Sequence, residues 1–227
     1  MIVSSEQMKT GNQSKAIKAS RGAKRAVLAL CMAAFTVNAQ PQGDARTVIQ
    51  PGATVQDVAS LPYAFDCSAL YQETLTYCLD QQAFLGIDAN LLVVHFHDEQ
   101  VSRLEWQLPL TQASYTSVLN GLRKDGYSYA WLFVDEGSHE ASLDVLAELP
   151  SLTTEAARNQ LDQRMFRLAN RGDFRTPRTY HFVDRETFSL AQQQSITDTL
   201  NWLPSQPRPW VTVQVDGQQL TVIVNGL

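Results

Sequence analysis

The sequence predicts an α+β domain: an antiparallel sheet built from hairpins, with helices packed on one face and a single disulfide. Three observations carry that prediction. Apolar residues alternate in adjacent pairs of runs joined by turn residues, at residues 91–108 and again at residues 211–224, which is the signature of antiparallel hairpins. Helical periodicity falls between these pairs and does not alternate with single strands, so a doubly wound parallel sheet is not indicated. No Gly-rich turn joins a strand to a helix in nucleotide-binding fashion, and no cofactor motif of that kind is present.

In the chain of 227 residues, Lys15, Lys18, Arg21, Lys24 and Arg25 precede an apolar run at residues 26–37 and the small Ala39. Basic flank, short apolar core and small-residue site in that order read as a secretory signal peptide over residues 1–39. The run is too short to serve as a membrane span, which needs about 20 apolar residues. Residues 40–60, with Pro, Gly, Gln and Thr and little periodicity, read as a flexible leader. The domain is expected over residues 61–227, with a division into two subdomains near residue 135 as an option.

Residues 1–39 carry six of the 18 basic side chains and one of the 23 acidic ones, so the remainder holds 12 against 22, a net charge of −10. That balance argues against nucleic acid or an anionic lipid surface as partner. No transmembrane segment is expected in the mature chain. Lys124 is its only lysine, a depletion with no physical account.

Once Cys31 leaves with the signal, Cys67 and Cys78 remain, and an exported pair reads as one disulfide. This bond decides between two local structures. Residues 67–84 have helical spacing at Tyr71, Leu75, Cys78 and Leu79, yet an eleven-residue separation in a helix puts the two Cα atoms about 16 Å apart, beyond the roughly 7 Å limit for a disulfide. A strand over about residues 73–80 is therefore expected, with Leu75, Tyr77 and Leu79 alternating against Thr74, Thr76 and Cys78.

The remaining elements follow in order. Leu92, Val94 and Phe96 line one face of a first hairpin strand and Ser102, Leu104 and Trp106 one face of the second, with the turn at Asp98, Glu99 and Gln100. Thr111 caps a helix whose Tyr115, Val118, Leu119 and Leu122 share a face, and Asp125 and Gly126 end it. Tyr127 to Val134 reads as a strand packed on both faces. Ser138 is expected to cap a short helix that Pro150 stops. Thr153 or Thr154 opens a longer one with a stripe of Ala157, Leu161, Met165 and Leu168. Thr179 to Val183 reads as a strand, and Ser189 with Gln192 has capping-box spacing for a last helix running to about Trp202. Val211, Val213 and Val215 with Leu220, Val222 and Val224 form the closing hairpin around Asp216 and Gly217.

No residue set fixes a reaction. His95 and His97 stand on one side of a strand, which is half of a metal site; a third ligand is missing from the local pattern, and Arg103 and Glu105 on the facing strand make a polar face the simpler reading. Ser138 beside His139, with Asp135 and Glu136 near, is a run of neighbours and not a triad, and no G-x-S-x-G elbow occurs. The uneven charge is more informative. Arg164, Arg167, Arg171, Arg175, Arg178 and Arg185 meet only Asp173 and Asp184 in their stretch, a local +4, whereas residues 88–148 hold ten acids against three bases. These stretches either pair within the fold or leave guanidinium forks for an anionic partner.

The sequence thus points to a periplasmic or secreted, non-catalytic module that binds another envelope or secreted protein, as an inhibitor, immunity protein or assembly factor does. Its expected binding residues are Arg164, Arg167, Arg171, Arg175 and Arg178. The competing expectation is an exported metal-dependent hydrolase centred on His95 and His97.

Overall fold

The computed structural model describes residues 49–72 and 75–227; the segment expected to be a signal peptide, and the first part of the expected leader, lie outside the described residues. In chain order the elements begin with α1 (Val55–Ala59), β1 (Ala64–Asp66), α2 (Ser68–Tyr71), β2 (Thr76–Leu79), β3 (Ala83–Phe84) and β4 (Ile87–Asp88). They continue with β5 (Leu91–His97), β6 (Gln100–Pro109), α3 (Gln112–Lys124), β7 (Ser128–Asp135), β8 (Glu140–Asp144) and α4 (Val145–Glu148). The last are α5 (Glu155–Ala169), β9 (Arg178–Val183), α6 (Arg185–Ala191), α7 (Thr199–Trp202), β10 (Trp210–Asp216) and β11 (Gln219–Asn225). Nine strands make one antiparallel sheet in the order β1-β2-β5-β6-β11-β10-β9-β7-β8, and β3 pairs with β4 apart from it. The α+β architecture is as the hairpin pattern predicts, and the sheet runs through residue 135 without a break.

Side-chain alternation divides the sheet into two faces. On the first, Leu92, Val94, Leu104, Trp106, Val213, Val222, Leu132, Tyr180 and Phe182 form one buried cluster with Val118 and Leu122 of α3. Helix α3 forms where expected because Thr111 accepts from the Ser114 amide while Ser114 Oγ accepts from the Thr111 amide, closing both orphan donors at the helix start. Gly121 on this helix gives the Leu85 side chain room, since a Cβ there would stand 2.5 Å from Leu85 Cδ1. Helix α5, capped by Thr154, covers the same face further along, with Leu161, Met165 and Leu168 against Leu143 of β8. The two long helices among the described residues therefore lie on one face.

The described residues cover the second face only in part. At one end the Cys67–Cys78 disulfide, with Cα atoms 5.8 Å apart, holds α2 over β2 and β5, where Cys67, Cys78 and Val93 cluster with Tyr71. The bond and the strand occur together, and the alternative helix over residues 67–84 is excluded. At the other end α7 and the 3-10 turn Leu203–Ser205 close over Val183, Trp210 and Ala130. Asp144 anchors this cover: it caps α4 through the Ala147 amide at 3.0 Å and also accepts from the Thr199 amide at 3.0 Å and from the Thr199 hydroxyl. Between the two covers, one register row crosses the whole sheet through Phe65, Cys78, Val93, Glu105, Ile223, Thr212, His181, Trp131 and Asp144.

Four expectations change. The domain takes in part of the presumed leader: Ile49 and Val58 are buried in the main core, and Thr54 caps α1 and bridges to Gln100. Ser138 caps no helix; it lies in the connection of a β7–β8 hairpin where Gly137 has φ of 77°. The single last helix is two short ones, capped by Asp184 and Asp198, and Ser189 Oγ donates back to the Arg185 carbonyl at 2.8 Å inside α6. Ser102 does not continue the face of Leu104, because the β5–β6 register shifts between His95 and Phe96 and passes from Arg103 to Val101. Val101 takes the core position instead.

Candidate functional site

The first candidate surface is the arginine face of α5. Arg164, Arg167 and Arg171 recur at three- and four-residue spacing, which sets them on one side of a helix, and they line a groove of about 280 Å³ against Ala141, Ser142 and Leu143 of β8. Strand β8 is the last in the sheet. Two of the three guanidiniums already hold carboxylates from the acidic stretch. Arg164 reaches Glu148 through two hydrogen bonds of 2.6 and 2.8 Å, and Arg171 Nε lies 2.8 Å from Glu136. Arg167 makes no ion pair among the described residues and stands between them.

The other two arginines of the stretch are placed differently. Arg175 lies over the Phe174 ring, 5.3 Å from its centroid. Arg178 is not on a surface at all: it is 3% exposed on the first face of β9. Its guanidinium donates to the carbonyls of Thr176 at 2.9 Å, Ala169 at 2.8 Å, Arg171 at 3.1 Å and Asp173. It therefore ties the end of α5 and the following loop to the sheet, and it leaves the set of candidate binding residues. Strand parity decides this, since Arg178, Tyr180 and Phe182 alternate onto the same buried face.

The histidine pair does not converge. His97 is at the hairpin tip, 83% exposed at its side chain and 3.6 Å from the exposed Asp98. His95 is 3% exposed, edge-on to the Tyr71 ring at 5.9 Å between centroids. Arg103 Nη2 lies 3.0 Å from each of its ring nitrogens, and Glu105 is 3.7 Å away. The nearby His95 imidazole holds the Glu105 carboxyl below the usual carboxylate range, against the effect of burial. Gln107 Nε2 donates to Tyr71 Oη at 3.0 Å and to Glu105 at 3.2 Å, and burial raises the Tyr71 phenol. Among the described residues no three His, Cys, Asp or Glu side chains are grouped to hold a metal ion.

Sequence reasoning found Arg103 and Glu105 opposite His95 but missed Tyr71 and Gln107. The disulfide loop brings Tyr71 across the sheet from 36 residues away, and only knowledge of the strand order could have shown it. Sequence reasoning likewise missed a concavity beside His181, which opens on the second face. No family model matches the chain, and neither curated proteins nor solved structures match it. Its class rests on its own features: a disulfide-stapled α+β domain with a nine-stranded antiparallel sheet.

Proposed function

We propose that this chain is an exported, non-catalytic module that binds another envelope or secreted protein, with the groove between α5 and β8 as its recognition surface. The observation that carries this reading is Arg167, a guanidinium without an acidic partner among the described residues, flanked by two that hold glutamates. Such a row presents donors in fixed orientation, because the flanking ion pairs limit the rotamers of Arg164 and Arg171. An acidic segment of a partner entering the groove meets Arg167 first and can displace Glu136 or Glu148, whose pairs are partly exposed and worth only about 0–1 kcal/mol each. The disulfide supports an oxidising compartment, and the basic, apolar and small-residue order of the first 39 residues supports export. No helix among the described residues is long and apolar enough to cross a membrane.

Affinity capture from an envelope extract, run with the wild-type chain and with Arg167→Glu, tests the reading. The expected result is a protein retained by the wild type at low salt, released as salt rises, and absent from the Arg167→Glu sample. Equal retention by both chains would remove the groove from the account.

A further inference from the structure

A second concavity, of about 290 Å³, opens on the other face of the sheet. Its floor is formed by Thr212, Gln214, Asn225 and Ile223 beside His181, and Trp210 of β10 with Leu200, Leu203 and Pro204 of the cover makes the apolar side. Its volume is at the small end of the roughly 300–1,000 Å³ found for ligand sites, which suits a ligand of one or two rings.

The lining contains no Lys, Arg, Asp or Glu. His181 does not add a charge at neutral pH, since burial lowers its pKa to about 4. A charged ligand therefore finds no counter-charge in the site, and the cost of stripping its water is not offset.

The polar groups are nonetheless organised. Asn225 Nδ2 donates to Thr212 Oγ1 at 3.3 Å, and Thr212 Oγ1 lies 3.0 Å from His181 Nδ1. Thr212 is 5% exposed, and Nδ1 is the acceptor within reach of its hydroxyl proton among the described residues, so the hydroxyl donates there. That bond fixes the tautomer, leaving Nε2–H as the imidazole's donor. Asn225 retains its amide oxygen as an acceptor. The exposed Gln214 amide makes no hydrogen bond among the described residues. An aromatic and aliphatic side against a floor of neutral donors and acceptors complements a molecule with an apolar C–H face and a hydroxyl-rich edge.

From this arrangement we infer that the cavity is a binding site for a neutral saccharide of one or two rings, its C–H face against Trp210 and Leu200 and its hydroxyls on His181, Asn225 and Gln214. An apolar peptide side chain fits less well, because it would cover the Gln214 and Asn225 amides without pairing them. The site is separate from the arginine groove and stands or falls independently of it.

The test is two-dimensional NMR of the ¹⁵N-labelled chain titrated with maltose, cellobiose and N,N′-diacetylchitobiose, with N-acetyl-leucinamide as the peptide-like comparison. Saturable shifts of the Trp210 indole and His181 ring signals with at least one disaccharide are expected. Trp210 also packs beneath the cover, so Gln214→Ala is the variant that leaves the fold alone. It should weaken that binding about two- to tenfold, the worth of one hydrogen bond, at an unchanged melting temperature. Absence of saturable shifts with all three disaccharides, a saturable shift with N-acetyl-leucinamide alone, or undiminished affinity in Gln214→Ala would each overturn the assignment.

Discussion

Arg178 and His181 lie three residues apart on β9 and face opposite sides of the sheet. The Arg178 guanidinium is buried and donates to four backbone carbonyls, so its loss leaves the end of α5 and the loop after it without these donors. Arg178→Met should lower unfolding stability by about 3 kcal/mol in urea denaturation, given roughly 1.5–3 kcal/mol for a hydrogen bond from a charged group and the partial exposure of the carbonyl-bearing residues. Arg178→Lys should not restore it, because one ammonium cannot span the same set of carbonyls. His181 behaves in the opposite sense, since burial holds it neutral with a pKa of about 4 against about 6.5 when unfolded. Between those values the unfolded chain binds the extra proton, so stability is full above pH 6.5 and falls as pH drops toward 4, by about 3 kcal/mol in total. Thermal unfolding at stepped pH should show this slope, and His181→Gln should flatten it; an equal slope in both chains would assign the loss to other groups. Summing charge along the sequence groups Arg178 with Arg175 and the α5 arginines because composition does not register strand parity. The strand expected from Thr179 starts one residue too late to include Arg178, which alternates with Tyr180 and Phe182 onto the buried face.

At the scale of elements, the disulfide is the most legible feature, because helix rise and Cα separation together exclude a continuous helix through both cysteines, and the alternation of Leu75, Tyr77 and Leu79 then favours a strand. Replacing both Cys67 and Cys78 with Ala should cost about 3 kcal/mol from the freed loop. The loss should be concentrated in α2, β1 and β2, where hydrogen exchange would report faster opening than in β10 and β11. Uniform loss of protection across the sheet would show that the loop is part of the global unfolding unit instead. The β7–β8 hairpin was hidden because β8 reads EASLD, a sequence without β-branched residues whose strand state comes from pairing with β7 and from Leu143 against α5. The break between α6 and α7 was hidden for a related reason. Ile196, Leu200 and Leu203 keep helical spacing across it, yet Asp198 caps a new helix through the amides of Leu200 and Asn201, and side-chain competition for backbone donors wins over periodicity.

For the molecule as a whole, antiparallel hairpins and an apolar face were readable from alternation, whereas the order of nine strands was not, since nothing local records which hairpin lies beside which. That order creates both candidate sites. It makes β8 the edge beside the arginines of α5, and it brings His181 of β9 level with Thr212 of β10 and Ile223 of β11. It also lets charge be sorted: the acidic stretch supplies Glu136 and Glu148 to Arg171 and Arg164, so the two unlike halves of the charge pattern are partly internal pairs, and Arg167 is the one of the three groove arginines without an ion pair among the described residues. The measurement that tests the recognition role most directly is the association rate with the captured partner as a function of ionic strength, for the wild type and for the chain carrying Arg164→Gln, Arg167→Gln and Arg171→Gln together. Long-range attraction is screened over about 10 Å at 0.1 M salt. The account predicts slower association of the triple variant at low salt and a flatter salt dependence, converging on the wild type at high salt. A triple variant that associates at the wild-type rate at low salt, with only its melting temperature reduced, would show that these arginines serve the fold alone.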